Sequence, residues 1–437
     1  MNKQPSTITT RLCWGVFFLA LPFLAFQVIP RAVGQQKGGA HAPSCTPGPW
    51  TFAASVAIDH FGGFMDSDGT YGYEGGGYAF STGDNILQFG RFDPVANSWT
   101  PLAAVPDANN GEASAVYAPN VNKLFVFGGS EFALGIVVDT TRIYDIATNK
   151  WSTGAPMPDV RAFMGSGYSN GKIYLVGGYT TGNVDPAFAQ VWEYDTVNNS
   201  WNTSRADMPV ALGGAGSGII NGHLYIAGGR DINNTNYNTL YDYDIAANSW
   251  TQRANLPSGT NVPSSAVIGG QLWIAGGGNP FLGSDASPSR NRVFGPDTTN
   301  SLQIYDPATN SWTTGPAMNQ ARSFAAGCAI GDTAVAVGGY DGFGSITSAE
   351  INVSDCGGGI TLTADVIRHG GERYVALDWS PANGGGVNVL RNGSVIGTTD
   401  DDGSTRSKLK NHTGTLTYQV CETDTGTCSN EVTVRVH

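Results

Sequence analysis

Short apolar runs alternate with turn residues along most of this chain. Arg161 to Tyr168 reads as one strand and Asn170-Gly171 as a favoured two-residue hairpin turn. Lys172 to Val176 alternates as a second strand and ends at Gly177-Gly178. Gln190 to Tyr194 forms a third, and Ser200-Trp201-Asn202 a fourth. A lone meander of this kind has an unprotected apolar face and two open edges, so it cannot bury its own core. The pattern predicts several such sheets packed against one another.

The unit repeats. Tryptophans stand at Trp50, Trp99, Trp151, Trp201, Trp250 and Trp312, and glycine pairs begin at Gly76, Gly128, Gly177, Gly228, Gly276 and Gly338. Between each pair and the next tryptophan comes an aromatic-Asp step: Phe92-Asp93, Tyr144-Asp145, Tyr194-Asp195, Tyr243-Asp244 and Tyr305-Asp306. A spacing of roughly fifty residues marks a radial repeat array. From Trp50 to about Ser354 the pattern resembles the kelch repeat. The resemblance implies an all-β fold, a six-bladed β-propeller of four-stranded blades. The last glycine pair has a third strand, Ala349 to Val353, but no tryptophan after it, while Trp50 has no glycine pair before it. Both facts fit a ring in which the N-terminal Trp50 strand completes the last blade, which resembles the way kelch rings are usually closed and removes exposed edges. Antiparallel pairing of those ends brings Cys45 next to Cys356, predicting a disulfide. Cys328 lies in an apolar strand and reads as a buried, inert thiol.

Past Gly357-Gly358-Gly359, read as a hinge, shorter alternating runs resume: Ile360–Val366, Tyr374–Trp379, Val387–Arg391, Ser394–Thr398, Thr415–Cys421 and Glu431–Val436. They predict a small antiparallel β-sandwich. Trp379 and Tyr418 resemble core residues of fibronectin type III or immunoglobulin-like domains, and Cys421–Cys428 is expected to staple a hairpin. At the other end, Lys3 and Arg11 precede an apolar stretch, Leu12 to Phe26, followed by Ala32-Val33-Gly34, which reads as a secretory signal. The expected layout is a signal peptide over 1–34, a linker over 35–44, the propeller over 45–356 and the sandwich over 357–437. The mature protein is expected to be exported, extracellular or periplasmic, with no membrane span.

Composition agrees with this picture and narrows the function. Glycine is 60 of 437 residues and charged residues are 13%, which suits tight turns and argues against a disordered chain given 11% aromatics. The net charge of -12 supplies no basic footprint for nucleic acid. In each blade the start of the first strand and the loop after the glycine pair lie on one face, around the channel, where propellers of this kind usually bind. Counting back equally from the glycine pairs puts His60, Glu112, Arg161, Leu212, Thr260 and Arg322 at equivalent rim positions, with Arg230-Asp231 on a neighbouring loop. The candidate ligand-binding set is therefore His60, Glu112, Arg161, Arg230, Asp231 and Arg322. Arginine forks would suit a carboxylate-bearing or sugar-like ligand.

Catalytic readings are weaker. The repeat resembles that of copper oxidases of the galactose-oxidase type, but the repeat region holds only His60 and His223, placed on opposite faces, so no copper, other metal or cofactor is expected. No nucleophile-elbow or zinc motif is present. The leading expectation is an exported recognition or adhesion protein binding a glycan or protein ligand. One alternative is a sugar isomerase resembling sialic-acid mutarotases, with Glu112 as acid–base group and an arginine for the carboxylate. A structural envelope component is the other.

Overall fold

The computed structural model describes residues 45–180, 187–280, 295–356, 361–369, 372–380, 386–401, 403–409, 412–423, 428–429 and 431–436. The expected signal peptide and linker, and the Gly357–Gly359 hinge, lie outside them. No helix of the described residues is long and apolar enough to cross a membrane.

Six four-stranded antiparallel sheets follow one another along the chain. Blade 1 consists of Phe64–Ser67, Gly72–Gly75, Phe89–Asp93 and Ser98–Pro101. Blade 2 is built from Ser114–Ala118, Lys123–Phe127, Thr141–Asp145 and Lys150–Thr153. Blade 3 has Gly165–Ser169, Lys172–Val176, Val191–Asp195 and Ser200–Asn202. Blades 4 and 5 begin at Gly216–Ile220 and Ser264–Ile268. Blade 6 contains Ala326–Ile330, Thr333–Val337 and Ala349–Asp355, and its fourth strand is Thr46–Ala53 from the other end of the chain. The first strand of each blade neighbours the first strands of the blades on either side, and that of blade 6 neighbours that of blade 1, so the ring is closed.

The core lies between the blades. Val116, Phe125 and Phe127 of blade 2 pack with Ile173, Leu175 and Tyr194 of blade 3, and a similar cluster fills each of the other five interfaces. Burial of this kind supplies the main favourable term.

The repeat residues each do an identifiable job. The motif aspartates turn the chain between third and fourth strands: Asp195 Oδ1 accepts from the Val197 and Asn198 amides. In blades 1 to 5 an asparagine two residues before the motif tryptophan takes the left-handed conformation, as at Asn199 and Asn248. Its Oδ1 accepts the amide of an alanine on the segment leading in from the previous blade, whose carbonyl in turn accepts the tryptophan indole N–H. In blade 4, Asn248 and Trp250 hold the two sides of Ala206. The clamp recurs on Ala54, Ala103, Ala155 and Ala254. The motif tyrosine hydroxyl donates to the same asparagine, as from Tyr243.

Each glycine pair is a crossing point. Gly128 and Gly129 both have positive φ, and a Cβ on Gly128 would lie 2.1 Å from the Arg161 carbonyl oxygen. That carbonyl accepts the Gly129 amide at 2.9 Å, tying blade 2 to blade 3.

Blade 6 lacks the Asn–Trp clamp and is secured differently. Thr46–Ala53 pairs with Ala349–Asp355, with Trp50 opposite Asn352. The buried Glu350 carboxylate accepts from Asn319 N, Gln320 N and Arg322 Nη2, and Asn319 Nδ2 donates to the Trp50 carbonyl. Cys45 and Cys356 form a disulfide across a sequence separation of 311 residues.

The C-terminal residues form a separate core from a three-stranded and a four-stranded antiparallel sheet. Trp379 and Tyr418 are both in that core; the indole N–H donates to Asp401 at 2.5 Å and the phenol to Ser407 at 3.1 Å. Ser404–Lys408 is a strand that apolar alternation did not reveal, because its side chains are mostly polar. Cys421 and Cys428 are joined by a disulfide, and Asp424–Gly426 lie outside the described residues.

Removing the ring disulfide by Cys45→Ser with Cys356→Ser should lower unfolding free energy in urea by about 2–5 kcal/mol. An unchanged midpoint would mean that the strand pairing alone holds the seam. Trp250→Phe keeps the ring but deletes the bond to Ala206, with an expected loss of about 1–2 kcal/mol in the same measurement.

Candidate functional site

Six residues, one per blade, stand at the head of the inner strands: Gly62, Glu112, Phe163, Gly214, Val262 and Phe324. All six have positive φ, including four with side chains, which places strain at one level of the channel. Their amides and carbonyls form a closed circle. Glu112 N donates to Gly62 O, Phe163 N to Glu112 O, Gly214 N to Phe163 O, Val262 N to Gly214 O, Phe324 N to Val262 O and Gly62 N to Phe324 O, at 2.6–3.0 Å. Phe163 and Phe324 come from opposite blades and meet over the axis, with ring centroids 6.2 Å apart. The channel mouth is thus narrowed by a backbone circle and two facing rings. A cavity of about 120 Å³ adjoins it, lined by these residues and by Ala113, Ser114, Met164, Ala215, Pro263 and Ala325 among others. Glu112 is the carboxylate in that lining. It is buried, and Ser130 Oγ donates to it.

This geometry corrects the expected rim. Glu112 is not the counterpart of Arg161. The first hairpin of blade 2 runs from Ser114 to Phe127, two residues longer than Gly165 to Val176 in blade 3. Equal counting from the glycine pair therefore lands two residues late, and Asn110 takes the Arg161 place. Its Oδ1 accepts the Gly77 amide at 3.1 Å. The remaining residues of that set, His60, Arg161, Leu212, Thr260 and Arg322, use their carbonyls to hold the previous blade's glycine pair. They precede the inner strand rather than open it, so the blade 3 strand starts at Gly165, not Arg161.

Their side chains point into blade packing. Arg161, Arg230 and Arg322 are only 1–2% exposed. Arg161 lies 3.5 Å from the Phe188 ring centroid and bonds Gln190 and Asp159; burial, partly offset by Asp159, lowers its pKa to about 10, so it stays cationic. Arg322 is spent on Glu350, Ser348 and the Gly338 carbonyl. Arg230 bonds Asn234 and sits 5.9 Å from the Tyr179 ring centroid. Asp231 folds its own loop, accepting from Asn233 N, Thr235 N and Tyr237 Oη. His60 Nε2 lies 2.7 Å from Glu74 Oε1, and Nδ1 meets the Ile58 carbonyl. The loop after Gly276-Gly277, Asn279 to Asn300, falls largely outside the described residues.

What the mouth does present is aromatic. Phe61, Phe163, Tyr179, Phe324 and Tyr340 form a buried floor. Above it, Tyr78 lies 4.6 Å from Phe132 and 5.7 Å from Phe80, and Phe80 lies 6.3 Å from Tyr340, centroid to centroid. Phe80 is 46% and Phe343 91% exposed, and Leu134, Ile136 and Ile232 are also open to solvent. All five sit on loops that follow a glycine pair. Sequence reasoning fixed on charged residues and passed over these; the signal was a large apolar residue in nearly every such loop.

Residues 67–277 and 165–354 match the KLHDC2/KLHL20/DRC7 Kelch-repeats domain. The chain belongs to this kelch-repeat family. It is 27% identical over 221 residues to Kelch-like protein terF of Aspergillus terreus, which covers 46% of each chain. It is 30% identical over 157 residues to the F-box protein AFR of Arabidopsis thaliana, 35% of this chain and 40% of that one. Against Kelch-like protein 35 of Mus musculus it is 27% identical over 154 residues, 35% of this chain and 25% of the relative. The chain thus spans less than half the length of these curated relatives. A solved structure titled "Structure of YjhT" superposes with a TM-score of 0.56 at 16% identity, covering 69% of this chain and 99% of that one, which shows the shared propeller fold.

The His60–Glu74 pair makes this kelch ring sensitive to pH. Burial opposes the imidazolium, but the charge and hydrogen bond of Glu74, with the Ile58 carbonyl, outweigh it and raise the His60 pKa above 6.5. A raised native pKa stabilises the fold fully below the unfolded value of 6.5 and is lost as pH rises through the higher native value. Chemical denaturation across that window should show stability falling with pH. His60→Gln should flatten this component; an identical slope in the variant would assign it elsewhere.

Proposed function

We propose that this kelch protein is an exported recognition or adhesion protein whose propeller binds a protein ligand at the channel mouth. The observation that carries the reading is the exposure of Phe80, Leu134, Ile136, Ile232 and Phe343 together on the mouth loops. Apolar side chains gathered on one face of an otherwise polar surface mark an interaction site. On the opposite face Val95 and Val197, on the turns between third and fourth strands, are exposed. Membership of the kelch family supports protein recognition. The charged n-region, the apolar stretch and the Ala32-Val33-Gly34 step support export, as do two disulfides, which persist in oxidising compartments. The sandwich, resembling fibronectin type III domains, serves as a tether or spacer over 357–437.

A sugar-isomerase activity is a second reading, since Glu112 stands beside a cavity in the channel. It needs a cation at the same cavity, and the arginines expected to supply it are engaged in blade packing. Anomerisation of sialic acid, abolished by Glu112→Gln, is its signature.

The test is to pan a random linear peptide library, displayed on phage, against the full chain. Phe80→Ser/Phe343→Ser, with unchanged melting temperature, serves as counter-selection, and a glycan array is run in parallel. Peptides that bind the parent protein and lose about tenfold or more on the double variant are expected, as befits loss of interface anchors. If peptides bind both proteins alike, or only glycans bind at the mouth, protein recognition there is wrong.

A further inference from the structure

Among the described residues, the charges around the aromatic mouth are as one-sided as its apolar residues are clustered. Among the described residues of the loops after the glycine pairs there is no lysine, and the one arginine, Arg230, is buried. Glu131 is buried, but three carboxylates stay near the surface. Asp84 is exposed, and Asp59 and Asp341 are partly so. They surround the same rings. Asp59 Oδ2 accepts from Ser81 N and from Ser345 Oγ, which places it between the loops carrying Phe80 and Phe343. Asp341 Oδ1 accepts from the Phe343 and Gly344 amides, at the base of the most exposed ring. Asp84 lies close enough to Tyr78 that, after burial, its charge is the next cause of that phenol's raised pKa. Blades 6, 1 and 2 thus share a patch in which Tyr78, Phe80, Phe132 and Phe343 offer ring faces and edges and Asp59, Asp84 and Asp341 offer unneutralised charge. Arg290 and Arg292 belong to the blade 5 loop, outside the described residues.

An aromatic ring with a neighbouring carboxylate is the combination that attracts an organic cation: the ring face contributes its quadrupole and the carboxylate its charge. A carboxylate ligand would meet like charge at this patch, and Arg161, Arg230 and Arg322 are buried, which is costly for it. We infer that the mouth takes a basic segment of its partner protein, with an arginine or lysine side chain laid on the Phe80–Tyr78 rings and its charge met by Asp59, Asp84 and Asp341. The inference rests on the reading of this mouth as a protein-binding face. It also reverses the polarity expected from the sequence, where arginines were to receive an acidic ligand. The chain's net charge of -12 favours approach of such a segment from a distance.

The experiment uses the peptides selected above. Clones that depend on Phe80 and Phe343 should be enriched in arginine or lysine over the input library. Synthetic copies, labelled with fluorescein, are titrated against the full chain by anisotropy at low and high salt. Replacing the basic residue by glutamine should weaken binding about tenfold, and Asp84→Asn with Asp341→Asn about three- to tenfold, with a shallower salt dependence, as expected for cation–π contact plus rim charge. Both aspartates are at the surface, and an unchanged melting temperature shows the variants are folded. Mouth-dependent clones that are neutral or acidic, or a basic clone indifferent to the aspartate changes, overturn the inference while leaving the mouth as a protein site. Absence of any clone that depends on Phe80 and Phe343 overturns both.

Discussion

Each blade of this ring exposes, on its own, two apolar faces and an unclosed head; burial of those faces drives the blades together, and main-chain contacts at the inner ends set how they meet. A glycine amide at the end of one second strand meets a carbonyl two residues ahead of the next blade's left-handed turn, and at the mouth six such turns bond head to tail around the axis. These contacts demand backbone approach too close for a Cβ at the first glycine. Tryptophan and asparagine then grip the connecting segment from the outside in blades 1 to 5, and the Glu350 carboxylate holds it in blade 6, so every junction has an inner and an outer tie.

Because the contacts at the inner ends are almost all main chain, the side chains at those positions are free to differ. At one ring position the six blades carry glycine, glutamate, phenylalanine, glycine, valine and phenylalanine; at the carbonyl that receives the glycine amide they carry histidine, arginine, leucine, threonine and arginine, with the Asn110 side chain standing in at the remaining junction. That variety looks like a binding site when read along the chain. In space, half of it is packing. Arginines at such positions lose their water and must be repaid by partners close at hand, as Arg322 is by Glu350. An arginine so engaged cannot also be a ligand fork.

The mouth keeps its chemistry in a different layer, the loops after the glycine pairs. There the rings of blades 6, 1 and 2 rest on a buried aromatic floor, which orients them without consuming their outer faces. The carboxylates among them cap their own turns with one oxygen and keep a charge toward solvent. A rigid apolar platform with fixed charge at its edge is suited to recognition by shape and polarity together.

The periodic signals were legible in the sequence because each is a local requirement repeated in every blade. Glycine pairs are needed at a crossing, an aspartate at a turn, and an asparagine and a tryptophan at a clamp. Their count and offset were enough to specify six blades, a shared last sheet and the Cys45–Cys356 link. The polar strand Ser404–Lys408 left no such mark. The site depended on register and burial, which no spacing encodes. Two extra residues in one hairpin moved Glu112 from the rim set into the strained circle beside Phe163. Only the assembled ring decided that His60, Arg161 and Arg322 are buried while Phe80 and Phe343 face water, because the partners that bury these side chains, Glu74, Phe188 and Glu350, are brought to them by the packing of the strands and not by any sequence spacing.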